Sequence, residues 1–207
     1  MGTSQTSLYL PWADDALVRG ESLYAVLNKL AWFAGRGPLQ LIRDLKATVA
    51  KPSPTSPQYI DFVSTAEIWK GVATLPQMPL IHGLRLGEYI DKGRFDSAHG
   101  YNRCRSYSAL RYCQACMSAG MHFDVTQLEF IEHCPHHKTR IISHCSACGS
   151  TTPYSCIPGQ DAFSCESCKG SFLSNGLTDL RANLRDRRKI AQEHARLVKR
   201  IGNPPTG

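Results

Sequence analysis

The 207 residues are 42% hydrophobic and 20% charged, enough for one or two small domains. No run approaches the roughly 18–20 apolar residues that a membrane-crossing helix needs. The formal charge of +7 points to a polyanionic partner if it is concentrated somewhere, and it is. Residues 1–100 carry ten Lys/Arg against nine Asp/Glu, residues 101–176 six against five, and residues 177–207 eight against three.

Residues 1–17, interrupted by Pro11, predict a loosely packed lead segment. Residues 18–95 predict a domain of short helices. The first, over 21–33, is expected to be amphipathic, with Leu23, Val26, Leu27, Leu30 and Ala31 on one stripe. Gly35 and Gly37 end it, and Pro38 is placed to open a second helix carrying Leu41, Ile42 and Leu45. Residues 51–57, KPSPTSP, read as a loop. Ser64 with Glu67 forms a capping box for a helix through Trp69, and residues 80–90 predict a last one. A helix-turn-helix-like arrangement is expected here, although the nearly balanced charge argues against a strong grip on DNA. The aromatic and basic residues of 94–110 are expected to pack onto the next domain rather than to stack on bases.

Residues 104–175 hold two quartets. Cys113, Cys116, Cys134 and His137 are spaced C-x2-C-x17-C-x2-H, and Cys145, Cys148, Cys165 and Cys168 are spaced C-x2-C-x16-C-x2-C. A two-residue gap lets two ligands share one knuckle, and the long gap lets the chain return to close a tetrahedron. The reading is a tandem zinc-finger or zinc-ribbon module with two zinc ions. His136 is the rival to His137, but only His137 repeats the two-residue gap. Cys104 and Cys156 are expected to be free thiols, and His122, His133 and His144 non-ligands. A disulfide framework fits poorly with nine cysteines, an odd count, and with no apolar signal core near Met1. Both quartets are full, whereas a catalytic zinc keeps a position open, so no catalytic residues are assigned. Loaded with zinc, the module falls from +1 to −2, because thiolates outnumber the metal charge. Gly149 and Gly170 stand where a positive φ is often needed. Loss of metal is expected to disorder the C-terminal half and leave the N-terminal helices standing.

Residues 177–201 predict a basic amphipathic helix. At about 100° per residue, Leu177, Leu180, Leu184, Ala191, Ala195 and Val198 form one stripe. Arg181, Arg185, Arg188, Lys189, Arg196, Lys199 and Arg200 cluster beside it, as a nucleic-acid-binding arc or, alternatively, the solvated face of a docking helix. The fold expected is mainly α with small β: helical domain, tandem zinc module, basic helix.

Together these features resemble the TniQ family, target-selection proteins of certain bacterial transposons, including CRISPR-associated ones. The resemblance runs from Gly20-Glu21-Ser22-Leu23 through Leu110-Arg111-Tyr112-Cys113-Gln114-Ala115-Cys116 and Gln127-Leu128. It continues through Cys134-Pro135-His136-His137 and Cys145-Ser146-Ala147-Cys148-Gly149. Gln114, Thr126 and Ser146 depart from the family pattern without removing a ligand. The resemblance implies a non-enzymatic adaptor, cytoplasmic and acting at the nucleoid. It would link an AAA+ transposition regulator to attachment-site DNA or to an RNA-guided effector. A zinc-dependent DNA-binding transcription regulator is the alternative.

Overall fold

The computed structural model describes residues 18, 21–49, 60–61, 109–156, 159–174 and 184–202. The expected lead segment, the Ser64–Glu67 capping box, the helix at 80–90, the 94–108 bridge, Cys104 and Arg181 lie outside them.

Helix α1 (Leu23–Ala34) starts where the Ser22 hydroxyl accepts the Ala25 amide at 3.2 Å, satisfying a donor that the first turn leaves open. It stops at Gly35, whose φ of 61° lets the Arg36 amide reach back to the Ala31 carbonyl at 3.0 Å. Helix α2 (Pro38–Val49) opens on Pro38, as expected of a residue without an amide hydrogen. The expected apolar stripe of α1 is buried, but so is every residue from 23 to 31, including Tyr24, Asn28 and Lys29. The helix is therefore enclosed rather than amphipathic.

The only strands among the described residues are short. β1 (Ile60–Asp61) pairs antiparallel with β2 (Ser155–Cys156), with Ile60 opposite Cys156. Helix α3 (Gln114–Ser118), a 3-10 helix (Asp124–Gln127) and helix α4 (Leu184–Gly202) complete the described elements. The fold is mainly helical with little strand, and α1 and α2 by themselves do not establish a helix-turn-helix.

Two apolar cores organise the chain. In the first, Leu23, Leu27 and Leu30 of α1 and Leu41 and Ile42 of α2 meet Tyr112, Phe163 and Phe172, with Cys145 and Cys165 at its edge. Asn28 fixes this docking: its amide donates to the Tyr24 carbonyl at 2.8 Å, and its oxygen accepts the Phe163 amide at 2.7 Å. In the second, Met121, Phe123, Leu128 and Ile131 surround Cys113, Cys116 and Cys134, and Ile190 and Ala191 of α4 close it. Each cysteine cluster thus shares a core with a helix from a distant part of the sequence. No helix among the described residues is long and apolar enough to cross a membrane.

Candidate metal centres

Three of the four ligand pairs sit on one repeated turn. Cys134, Cys145 and Cys165 each donate their amide to the carbonyl five residues on (Thr139, Ser150, Gly170), at 2.8–2.9 Å. Each carbonyl in turn accepts the amide four residues on (Lys138, Gly149, Lys169), at 2.8–3.0 Å. Bridges His133–Arg140, His144–Thr151 and Ser164–Ser171 close the turns from outside. The geometry forces a positive φ at the fourth position, of 58°, 75° and 58°. The glycine expectation holds at Gly149, whereas in the last turn Lys169 takes the strained position and not Gly170. Gly170 is small for another reason, since a Cβ there would stand 3.2 Å from Cys168 Sγ. The fourth pair differs: Cys113 caps α3, and Cys116 lies inside it.

The eight expected ligand residues come together in two quartets, each with its ligand atoms within 4.8 Å of one another. In the first, His137 Nδ1 stands 3.5, 3.3 and 3.6 Å from the sulfurs of Cys113, Cys116 and Cys134. Cys116 and Cys134 are 3.8 Å apart. In the second, Cys145–Cys168 and Cys148–Cys165 are 3.8 and 3.7 Å apart. Disulfides would need about 2.05 Å. A tetrahedral ion with metal–sulfur bonds of about 2.3 Å and metal–nitrogen bonds of about 2.0 Å gives edges of about 3.8 and 3.5 Å. Each quartet could therefore hold one metal ion.

In the first quartet, hydrogen bonding from Cys116 and Cys134 pulls the Cys113 thiol far down, while hydrogen bonding to Cys113 pushes Cys116 and Cys134 up, so the three sulfurs share protons when no ion is among them. Three thiolates this close would need a cation among them. The sulfurs are further supplied with donors: the Thr139 hydroxyl is 3.3 Å from Cys113 Sγ, and the His137 and Gly170 amides donate to Cys134 and Cys168 at 3.4 Å. The centres differ in exposure. Cys113, Cys116 and Cys134 are buried and His137 half-buried, whereas Cys148 and Cys168 are exposed. At the exposed Cys148, the Ser150 hydroxyl and amide hold the thiol down at about 6.

The other histidines have different work. His136 turns away from the quartet, with Nδ1 3.1 Å from Glu193 Oε2 on α4. His122 is buried, with Nδ1 2.6 Å from the Ser22 hydroxyl and Nε2 3.0 Å from the Arg111 carbonyl. Its second nitrogen faces a carbonyl, so Nε2 carries the hydrogen and Nδ1 accepts from Ser22. His133 and His144 are exposed and serve the outer bridges.

Three positions escaped the sequence reading. Arg111 clamps the 3-10 segment, its guanidinium donating to the carbonyls of Thr126 (3.1 Å) and Ile131 (2.8 Å). Arg187 is buried beside Glu21, which also takes Lys29 Nζ at 2.6 and 2.7 Å. His194 is buried against the first quartet. Consequently the buried face of α4 is Arg187, Ile190, Ala191 and His194, with Leu197 and Val198 half-buried. The expected stripe is rotated by about 60°, at 100° per residue: Ala195, expected to pack, is exposed. Of the expected basic arc, Arg185, Arg188, Lys189, Arg196, Lys199 and Arg200 are exposed.

No protein-family model matches the chain, and no curated protein matches it. The functional reading rests on the two quartets and the helix held beside them.

Proposed function

We propose that the chain is a zinc-stabilised, non-enzymatic adaptor for transposition target selection, of the TniQ kind. The observation that carries this is the pairing of two coordinatively full quartets with a helix whose basic residues face outward. Four sulfur or nitrogen donors around each ion suit zinc, and a full tetrahedron leaves no position for water or substrate. The quartets act as rigid struts, and the exposed Arg185, Arg188, Lys189, Arg196, Lys199 and Arg200 form a surface for a phosphate backbone. The remaining surface of the zinc module, negative when loaded, suits protein contact better than nucleic acid. The partners on this reading are an AAA+ transposition regulator and, on the other side, DNA or an RNA-guided effector.

The deciding experiment is capture of the AAA+ regulator by the zinc-loaded chain on DNA, with elemental analysis of the same sample. Two zinc ions per chain and DNA-dependent capture are expected. Sequence-specific DNA binding without any regulator capture would favour a zinc-dependent transcription regulator instead.

A further inference from the structure

Besides its apolar residues, α4 places a polar side chain against the first quartet. His194 Nε2 lies 3.7 Å from Cys134 Sγ and 3.9 Å from Cys116 Sγ. Its ring stacks on Phe123 at 3.9 Å with the planes 11° apart, which fixes its orientation. Its other nitrogen, Nδ1, is buried with no hydrogen-bond partner among the described residues. A hydrogen on Nδ1 would be a stranded donor, and the bare Nε2 lone pair would then face two anionic sulfurs. With the hydrogen on Nε2 both costs vanish, because the N–H points at the thiolates and only an acceptor goes unmet. His194 does not complete the quartet, which His137 already fills.

We propose that His194 donates an Nε2–H hydrogen bond to the Cys116 and Cys134 thiolates and that this contact makes docking of α4 conditional on metal at the first quartet. The proposal rests on the reading that this quartet holds a metal. Without the ion nothing holds the Cys116 and Cys134 sulfurs together at the distances His194 needs. With it they are fixed anions that need donors, as outer-shell partners of metal ligands generally supply. The rest of the buried face of α4, Arg187 on Glu21 and Ile190 and Ala191 in the second core, is arranged about the same point. The basic surface is thus oriented by the state of a metal centre that it does not touch.

The test uses the zinc-loaded full chain and two variants. His194→Phe keeps a ring to stack on Phe123 and removes the N–H, and His194→Gln restores an N–H donor. Zinc release to a colorimetric chelator is followed together with hydrogen exchange of residues 185–200. In His194→Phe one of the two zinc ions should leave at least about 10-fold faster, the other at the wild-type rate, and α4 should lose protection. His194→Gln should recover most of the difference. Wild-type release from His194→Phe, or no recovery in His194→Gln, overturns the proposal.

Should the Phe variant not fold, the wild-type chain loaded with cadmium-113 decides the matter. A slowly exchanging His194 Hε2 correlated with one cadmium supports the hydrogen bond, and an unprotonated Nε2 overturns it. A wild-type chain that binds no metal at the first quartet is a different result. It removes the metal reading itself, rather than the role of His194 within it.

Discussion

Glu21→Gln is the sharpest single perturbation of this fold. Glu21 and Lys29 are 0% exposed and Arg187 is 1% exposed, so one carboxylate serves two buried cations. The Gln variant keeps the shape and removes the carboxylate charge that both cations face. Breaking a buried ion pair from one side costs about 3–5 kcal/mol, most of it the desolvation of the charge left behind. Lys29 has a partial escape. Burial already pulls its ammonium from 10.5 down to about 8, with Glu21 working against the fall and Arg187 adding to it. Losing Glu21 lowers it further, and the lysine can then sit neutral at pH 7.

The pH dependence follows from that shift. Between pH 8 and 10.5 the unfolded chain holds a lysine proton that the folded chain has shed, so this group makes stability rise with pH across the window. The rise amounts to about 3 kcal/mol at 1.36 kcal/mol per pKa unit. In Glu21→Gln the rise begins below pH 8, so the deficit relative to wild type narrows from neutrality to pH 8 and is constant above. Urea unfolding of the zinc-loaded chain at fixed free zinc measures both. Adding Lys29→Met to Glu21→Gln should recover at least about 1 kcal/mol, since one of the two buried cations that faced Glu21 is gone. A Glu21→Gln variant within about 1 kcal/mol of wild type at pH 7 would show that the three charges are not desolvated together.

Further expectations address the turns, the metals and the basic surface. Lys138→Gly should stabilise by up to about 1 kcal/mol in denaturant unfolding, because an L-residue at φ 58° is strained. Gly149→Ala should cost about as much through φ alone, its Cβ meeting nothing within 4 Å. Metal binding at a structural site supplies on the order of 10 kcal/mol of folding free energy. Chelation should therefore remove hydrogen-exchange protection from residues 113–170 and also from α1, which packs against Cys145 and Cys165. Retained protection of α1 after complete metal removal would show that the first core stands alone. The triple change of Arg185, Arg188 and Lys189 to alanine should weaken DNA binding equally for all sequences. It should also reduce the slope of log K against log salt by up to about 2.7. An unchanged slope would show that this arc is a solvated or protein-docking surface.

The gathering of the two quartets was legible in the sequence because a knuckle is a local object. Its two ligands lie within four residues, and the turn that joins them is closed by hydrogen bonds over the same short span. The choice of His137 over His136 followed from that spacing alone. The helix boundaries near Ser22, Gly35 and Pro38 were legible for the same reason, since caps act within one turn. Burial of polar residues was not. Lys29, Arg187 and His194 carry no local signal of burial because groups that satisfy them are remote in sequence: Arg187 and Glu21 are 166 residues apart, and His194 and Cys116 are 78 apart. An apolar-periodicity search rejects such residues and turns the helix until its small apolar ones face inward. That is how the stripe of α4 came to be placed on Ala195 instead of on His194.

The same long-range contacts explain why residues 21–24 matter more than their composition suggests. Glu21 takes Lys29 from α1 on one side and Arg187 from α4 on the other. Ser22 caps α1 with one lone pair and holds His122, beside the second core, with its hydroxyl hydrogen. Tyr24 lays its ring against His122 at 5.3 Å and against Phe163 of the first core at 6.1 Å. Glu21, Ser22 and Tyr24 therefore join the helix that covers the second quartet to the helix that covers the first. The parts of the chain around the two quartets are otherwise built on separate cores. Lys29 of α1 and Arg187 of α4 thus meet on one carboxylate, so the pose of α4 against α1 depends on the charge of Glu21.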